Sequence, residues 1–254
     1  MIPKIHEYLG HEGSTPVEFL ERGRSEVVSY GGEIRSETVL KIEERSDGLF
    51  DVWGSKMKIM ARAVVLATGL VDVLPMVPGL KEGLGKYVHL CPCFSGYEVR
   101  DKPLVAFGLP ERLAQLGKFL TAWSSSVTVV SPHEFDSETL TRLDGFGVKT
   151  VQDEVTALVR EGDQLVSIAT ASGTEVPCEA VFVAAPFKAA SELAASLCET
   201  DEPVSQLPIR MEERVDQEYG RSGMLLITLP ISFIQPPPVL ILDLGSLTIC
   251  LKHP

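Results

Sequence analysis

Three short runs of the chain are apolar without interruption, Ala63–Ala67, Leu104–Phe107 and Ala180–Ala184, and a fourth strand-like run, Val127–Val130, is broken only by Thr128. Such runs do not alternate, so they suit strands covered on both faces, as in a parallel sheet between layers. Between Leu104 and Val151 strand-like and helix-like stretches take turns: strand 104–107, a turn at Gly108, helix 111–123, strand 127–130, helix 136–145 and strand 148–151. That alternation predicts a parallel sheet with helical crossovers, and the fold class is α/β.

Two antiparallel meanders complete the pattern. The first is read from Ile34–Glu43, Leu49–Trp53 and Lys56–Met60, with turns at Asp47-Gly48 and Gly54-Ser55; the second is read from 153–159, 164–170 and 174–177. Each meander precedes one of the buried strands. A helix is predicted over about 16–30, with Thr15 as N-cap, Pro16 at the first position, Glu18 reaching back to the cap, and Gly31-Gly32 ending it. The polar Arg100–Pro103 stretch is expected as a hinge. The tail holds two greasy runs split by Pro236-Pro237-Pro238, each too short to cross a bilayer, and is expected to form edge strands or to be poorly ordered.

Charge narrows the function. Lys and Arg number 23 against 35 Asp and Glu, a net charge of −12. Phosphate backbones and anionic membrane surfaces select basic faces, so neither nucleic acid nor a membrane is expected as partner. The five cysteines are too few and too irregular for a secreted disulfide framework, and the first ten residues lack the apolar core of a signal peptide. A reducing, cytoplasmic compartment is expected.

The densest chemistry lies at His89-Leu90-Cys91-Pro92-Cys93. Two thiols separated by one proline, with a histidine two residues before, suit thiol redox, in which a thiolate attacks a disulfide and a neighbouring donor tunes its pKa. A tetrahedral metal site needs four ligands, and this cluster offers three, too closely spaced, so no metal is expected. The plainer alternative is two structural cysteines. Cys178, Cys198 and Cys250 are isolated and suit small buried hydrophobes. His6, His11, His133 and His253 stand in polar contexts and are expected to be solvated.

Two further places suit a ligand. Ala67-Thr68-Gly69 ends a buried strand, where α/β sheets bind ligands, and Asp72 just beyond is either a cofactor contact or a loop carboxylate. The turn Gly108-Leu109-Pro110-Glu111-Arg112-Leu113 keeps one glycine of a dinucleotide fingerprint, with Arg112 as a candidate phosphate contact. A plain strand–turn–helix unit explains it equally.

In order, these features resemble the low-molecular-weight thioredoxin reductases and their relatives, including fungal dithiol oxidases of epidithiodiketopiperazine pathways. The matching stretches are Tyr8–Gly13, Thr15–Arg24, Ala63–Leu70, Leu74–Gly79 and His89–Arg100, within about residues 6–222. The resemblance implies two Rossmann-like units, the first incomplete: a partial FAD domain over 1–101, an NADPH-binding-like domain over 102–200 and a divergent tail over 201–254. It implies FAD and NADPH as cofactors, Thr68, Gly69 and Asp72 near the flavin, and Gly108 and Arg112 near the nicotinamide dinucleotide. Cys91, Cys93 and His89 are then the catalytic group, and the partner is a small-molecule dithiol or disulfide, in a secondary-metabolism setting.

The chain also departs from the family pattern. Phe94 stands where the second cysteine of C-x-x-C belongs, Ser95 replaces the following acid, and Pro110 and Arg112 replace glycines. In the family's register the first Gly-rich unit falls before Met1, so the chain is expected to be truncated there and to self-associate as a homodimer. Three functions fit: a FAD- and NADPH-linked oxidoreductase of a dithiol or disulfide, a degenerate non-redox homologue, and a cofactor-free enzyme or binding protein that reuses the flavin cleft.

Overall fold

The computed structural model describes residues 4–6, 8–62, 64–193, 197 and the backbone of 224–226. Cys198, Cys250, His253, Ala63 and nearly all of the tail lie outside the described residues. The chain forms two compact units, one of residues 1–15 and 73–186 and one of 16–72 and 187–254.

The second of these opens with α1 (Pro16–Ser29), close to its predicted span. Its meander is β1 (Val39–Glu44), β2 (Phe50–Gly54) and β3 (Lys58–Ala61), paired antiparallel in chain order. The first strand starts five residues later than the alternation predicts. Glu37 is engaged elsewhere: its carboxylate accepts from Ser55 Oγ at 2.6 Å and from the Lys56 amide, which holds 37–38 against the hairpin turn. The buried run gives β4 (Val64–Leu66), whose Val64 and Leu66 join Ile42, Phe50, Val52 and Ala61 in one core. β5 (Leu70–Asp72) follows.

The other unit carries the parallel sheet. After a short α2 (Leu80–Gly83) come β6 (Val88–His89) and the one-turn α3 (Pro92–Ser95). Then follow β7 (Leu104–Gly108), α4 (Pro110–Leu120), β8 (Val127–Ser131), α5 (Ser137–Gly145) and β9 (Lys149–Gln152). Asp136 caps α5 by accepting from the Thr139 amide at 2.8 Å. The second meander is β10 (Val155–Glu161), β11 (Gln164–Thr170) and β12 (Glu175–Pro177), and β13 (Ala180–Ala184) closes the unit. The sheet order is β6-β13-β7-β8-β9, parallel throughout. The expected α/β architecture is therefore present.

Arg100–Pro103, expected as a hinge, is a turn inside this unit. Residues 73–101 belong with the sheet because β6 pairs with β13.

Alternate residues of β7 and β13 feed two cores. Val105, Phe107, Val181 and Val183 face the second meander, packing with Leu158, Leu165 and Ile168. Leu104, Ala106, Phe182 and Ala184 face the helices, packing with Leu113, Leu116, Leu120 and Leu143. A strand with both faces covered needs apolar residues at every position, which is the origin of the uninterrupted runs. The remaining strands, β14 (Phe187–Ala189) and β15 (Met224–Leu226), return to the other unit and pair with β5 and β4. Among the described residues no helix is long and apolar enough to cross a membrane.

Gly108 sits where β7 presses on β13. Its φ is 129°, and a Cβ there would lie 2.5 Å from the Ala184 carbonyl oxygen. Replacing Gly108 by Ala is expected to cost at least about 1–3 kcal/mol, read as a lower denaturation midpoint.

Candidate active site

The thiols sit at the carboxyl end of the edge strand β6. Cys91 is extended (φ −138°) and caps α3, and Pro92 takes the first helical position, where its missing N–H has no role. The turn is closed by the Gly96 amide donating to Pro92 O at 2.7 Å and by Phe94 N donating to Cys91 O at 3.3 Å. Cys91 is half-buried and Cys93 is exposed, and no disulfide joins them.

Trp123, just after α4, packs on this turn. A Cβ on Gly96 would stand 2.4 Å from the indole Nε1 and 2.6 Å from Pro92 O, so only glycine admits the ring. The result is a cleft of about 220 Å³ lined by His6, Glu12, Cys93, Ser95, Tyr97 and Trp123. Cys178 is remote in character: it is 1% exposed, and burial pushes its thiol up to about 12. It is the small buried hydrophobe expected.

Two histidines exchange their expected roles. His89 is 7% exposed; its ring lies 5.2 Å from that of Phe182, its register partner on β13, and its Nε2 has no hydrogen-bond partner. Burial pushes its pKa down to about 4; Glu98 raises it and Lys102 lowers it further. At neutral pH it is an uncharged core residue and supplies no positive charge to a thiolate. His89, expected beside the thiols, lies in the sheet core and does not line the cleft that Cys93 borders.

His6, expected to be solvated, is instead the histidine of the cleft. Its Nδ1 meets Glu12 and its Nε2 meets Glu98 at 2.6 Å, with 14% of the side chain exposed. Donation to both carboxylates needs two N–H groups, which only the imidazolium form of the ring has. The Glu12 bond is the largest cause of its raised pKa; burial opposes, and Glu98 adds to it. The partners are 6 and 92 residues away along the chain. No local motif announces such a pair.

No protein-family model matches the chain. A probable thioredoxin reductase of Arthroderma benhamiae is 35% identical over 115 residues, which are 41% of this chain and 28% of that protein. The crystal structure of HlmI superposes with a TM-score of 0.70 at 29% identity, covering 89% of this chain and 72% of that one. The chain is thioredoxin reductase-like. A thioredoxin reductase TrxB described as putative, from Bacillus anthracis, shares the fold, with a TM-score of 0.74 at 23% identity over 88% of this chain and 75% of its own. The matches to the curated thioredoxin reductases span well under half of their length.

The thioredoxin reductase-like chain departs from a dinucleotide cradle at the Gly108 turn. A pyrophosphate is held by several backbone amides that point outward at a helix start. Here Leu109 N donates to Ala184 O at 2.9 Å, and Arg112 N and Leu113 N both donate to Leu109 O at 3.1 and 3.2 Å. Pro110 has no N–H, which leaves the Glu111 amide beside a carboxylate side chain. The Arg112 guanidinium donates to Ala185 O at 2.5 Å. These residues do not fit the phosphates of NADPH.

Thr68, Gly69 and Asp72 lie in the other unit. Gly69 is buried and its carbonyl accepts from Ala190 N at 3.1 Å, and Asp72 pairs with Phe187 between β5 and β14. Among the described residues this unit contains no parallel strand–turn–helix to cradle a flavin pyrophosphate.

His89 makes stability pH-dependent. Its native pKa lies below the usual 6.5, so on acidification the unfolded chain takes up the proton first. Stability present above pH 6.5 is lost as pH falls toward about 4, by on the order of 3 kcal/mol. His89→Leu is expected to remove that decline in denaturant titrations at successive pH values.

Proposed function

We propose that the chain is a thiol oxidoreductase that exchanges electrons with a small disulfide or dithiol at Cys91 and Cys93. The observation that carries this is an exposed thiol in a cleft, with a second thiol two positions away on the same turn. Cys93 is the entering group because it lines the cleft. Its thiolate attacks one sulfur of the disulfide, the S–S bond breaks, one half leaves as a thiolate, and a mixed disulfide remains on Cys93. Cys91 then attacks the Cys93 sulfur, expels the second half and closes a Cys91–Cys93 disulfide. The protein loses two electrons and the substrate gains them; oxidation of a dithiol is the reverse.

The resemblance adds FAD and NADPH as the electron path and secondary metabolism as the setting. The described residues do not fit either nucleotide, and the exchange above needs neither. A second reading, a homologue without redox activity, is favoured by the same occupied turn and by Phe94 in place of a cysteine.

Single-turnover release of thiol from a chromogenic aromatic disulfide separates the two. The reduced protein is expected to release both halves, Cys91→Ser only one, and Cys93→Ser neither. A folded wild-type protein that releases nothing from Cys91 or Cys93 overturns the redox reading and leaves the second.

A further inference from the structure

We propose that His6 is a positioning residue for the thiols: a proton-controlled clasp that holds residues 4–15 against the turn after α3 and so forms one wall of the Cys93 cleft. The inference concerns the site assigned above and takes its importance from that assignment, but its geometry stands independently.

The segment that carries His6 is folded on itself. Ile5 N donates to Ser14 O and Gly13 N to Ile5 O, both at 2.8 Å, and Ile5 is 7% exposed. This loop brings His6 and Glu12 side by side into the cleft lining. The His6 ring then reaches across to Glu98, which follows α3 by three residues and adjoins Tyr97 of the same lining. One imidazole thus ties the loop to the thiol-bearing turn.

Among the described residues, the groups recorded against it come from two elements. Glu12 comes from its own segment and Glu98 from the turn. The Tyr97 ring lies 6.4 Å away at 42°, with Arg100 stacked 4.1 Å from that ring, and Cys93 borders the same cleft. The chemistry of the ring makes the tie conditional. An imidazolium donates to both carboxylates. A neutral ring has one N–H and one lone pair, so one carboxylate then faces a lone pair and the bridge is broken on that side.

Both carboxylates raise the His6 pKa above 6.5. A raised value places the contribution fully below the unfolded pKa and removes it as pH rises through the folded one. The clasp is therefore closed in mild acid and opens as His6 loses its proton, widening access to Cys93.

Trp123 lines the cleft and is one of two tryptophans, the other being Trp53 in the other unit. In a Trp53→Phe background, acrylamide quenching of Trp123 reports cleft access without any thiol chemistry. Between roughly pH 5 and 8, access is expected to rise through a single transition lying above the ordinary histidine value. His6→Gln is expected to be open throughout, with the transition lost. Glu98→Gln, which leaves the His6–Glu12 pair in place, is expected to shift the transition to lower pH and raise access below it. A flat profile in the parent, or an unshifted transition in either variant, overturns the clasp. If disulfide release fails while the transition and its loss are seen, the clasp stands and the thiol assignment alone falls.

Discussion

Five consecutive residues, Ala180–Ala184, are buried on both faces and hydrogen-bonded on both edges, to Val88–His89 on one side and to Leu104–Gly108 on the other. They join the parallel sheet across a long loop of sequence, so β6 enters the sheet only because β13 receives it. That pairing fixes the carboxyl end of β6, and the thiol turn begins two residues later. Loss of the β6–β13 register would leave Cys91 and Cys93 on an unanchored loop.

The site is built around close approaches. Gly96 lets the Trp123 indole lie against the proline-started turn, and the ring supplies the cleft with an apolar wall. The N-terminal loop supplies the polar wall through His6 and Glu12. Environment separates the two histidines by chemistry: burial in the sheet lowers the pKa of the one on the strand, and two carboxylates raise that of the one on the loop. The histidine nearest the thiols in sequence is therefore not the one that shares the cleft of Cys93.

At the Gly108 turn the same fold takes a different course. Glycine is retained, but its space is filled by the Ala184 carbonyl, and the amides of Leu109, Arg112 and Leu113 are engaged with backbone oxygens. A glycine in such a place speaks for tight strand packing. The fold is similar to that of thioredoxin reductases, while the residues at this turn do not form a phosphate cradle.

Much of the frame was legible in the chain itself. Uninterrupted apolar runs mark strands covered on both sides, and Thr15-Pro16 marks a helix start through residues that are neighbours in the chain. The Cys91-Pro92-Cys93 spacing marks a thiol site for the same reason, because its geometry is local. Three things were decided by tertiary structure alone: which histidine sits between carboxylates, what fills the space beside Gly108, and which unit residues 73–101 join. Each depends on desolvation or on partners far along the chain, as with His6 and Glu98, 92 residues apart. A linear sequence specifies those partners only through the fold that brings them together.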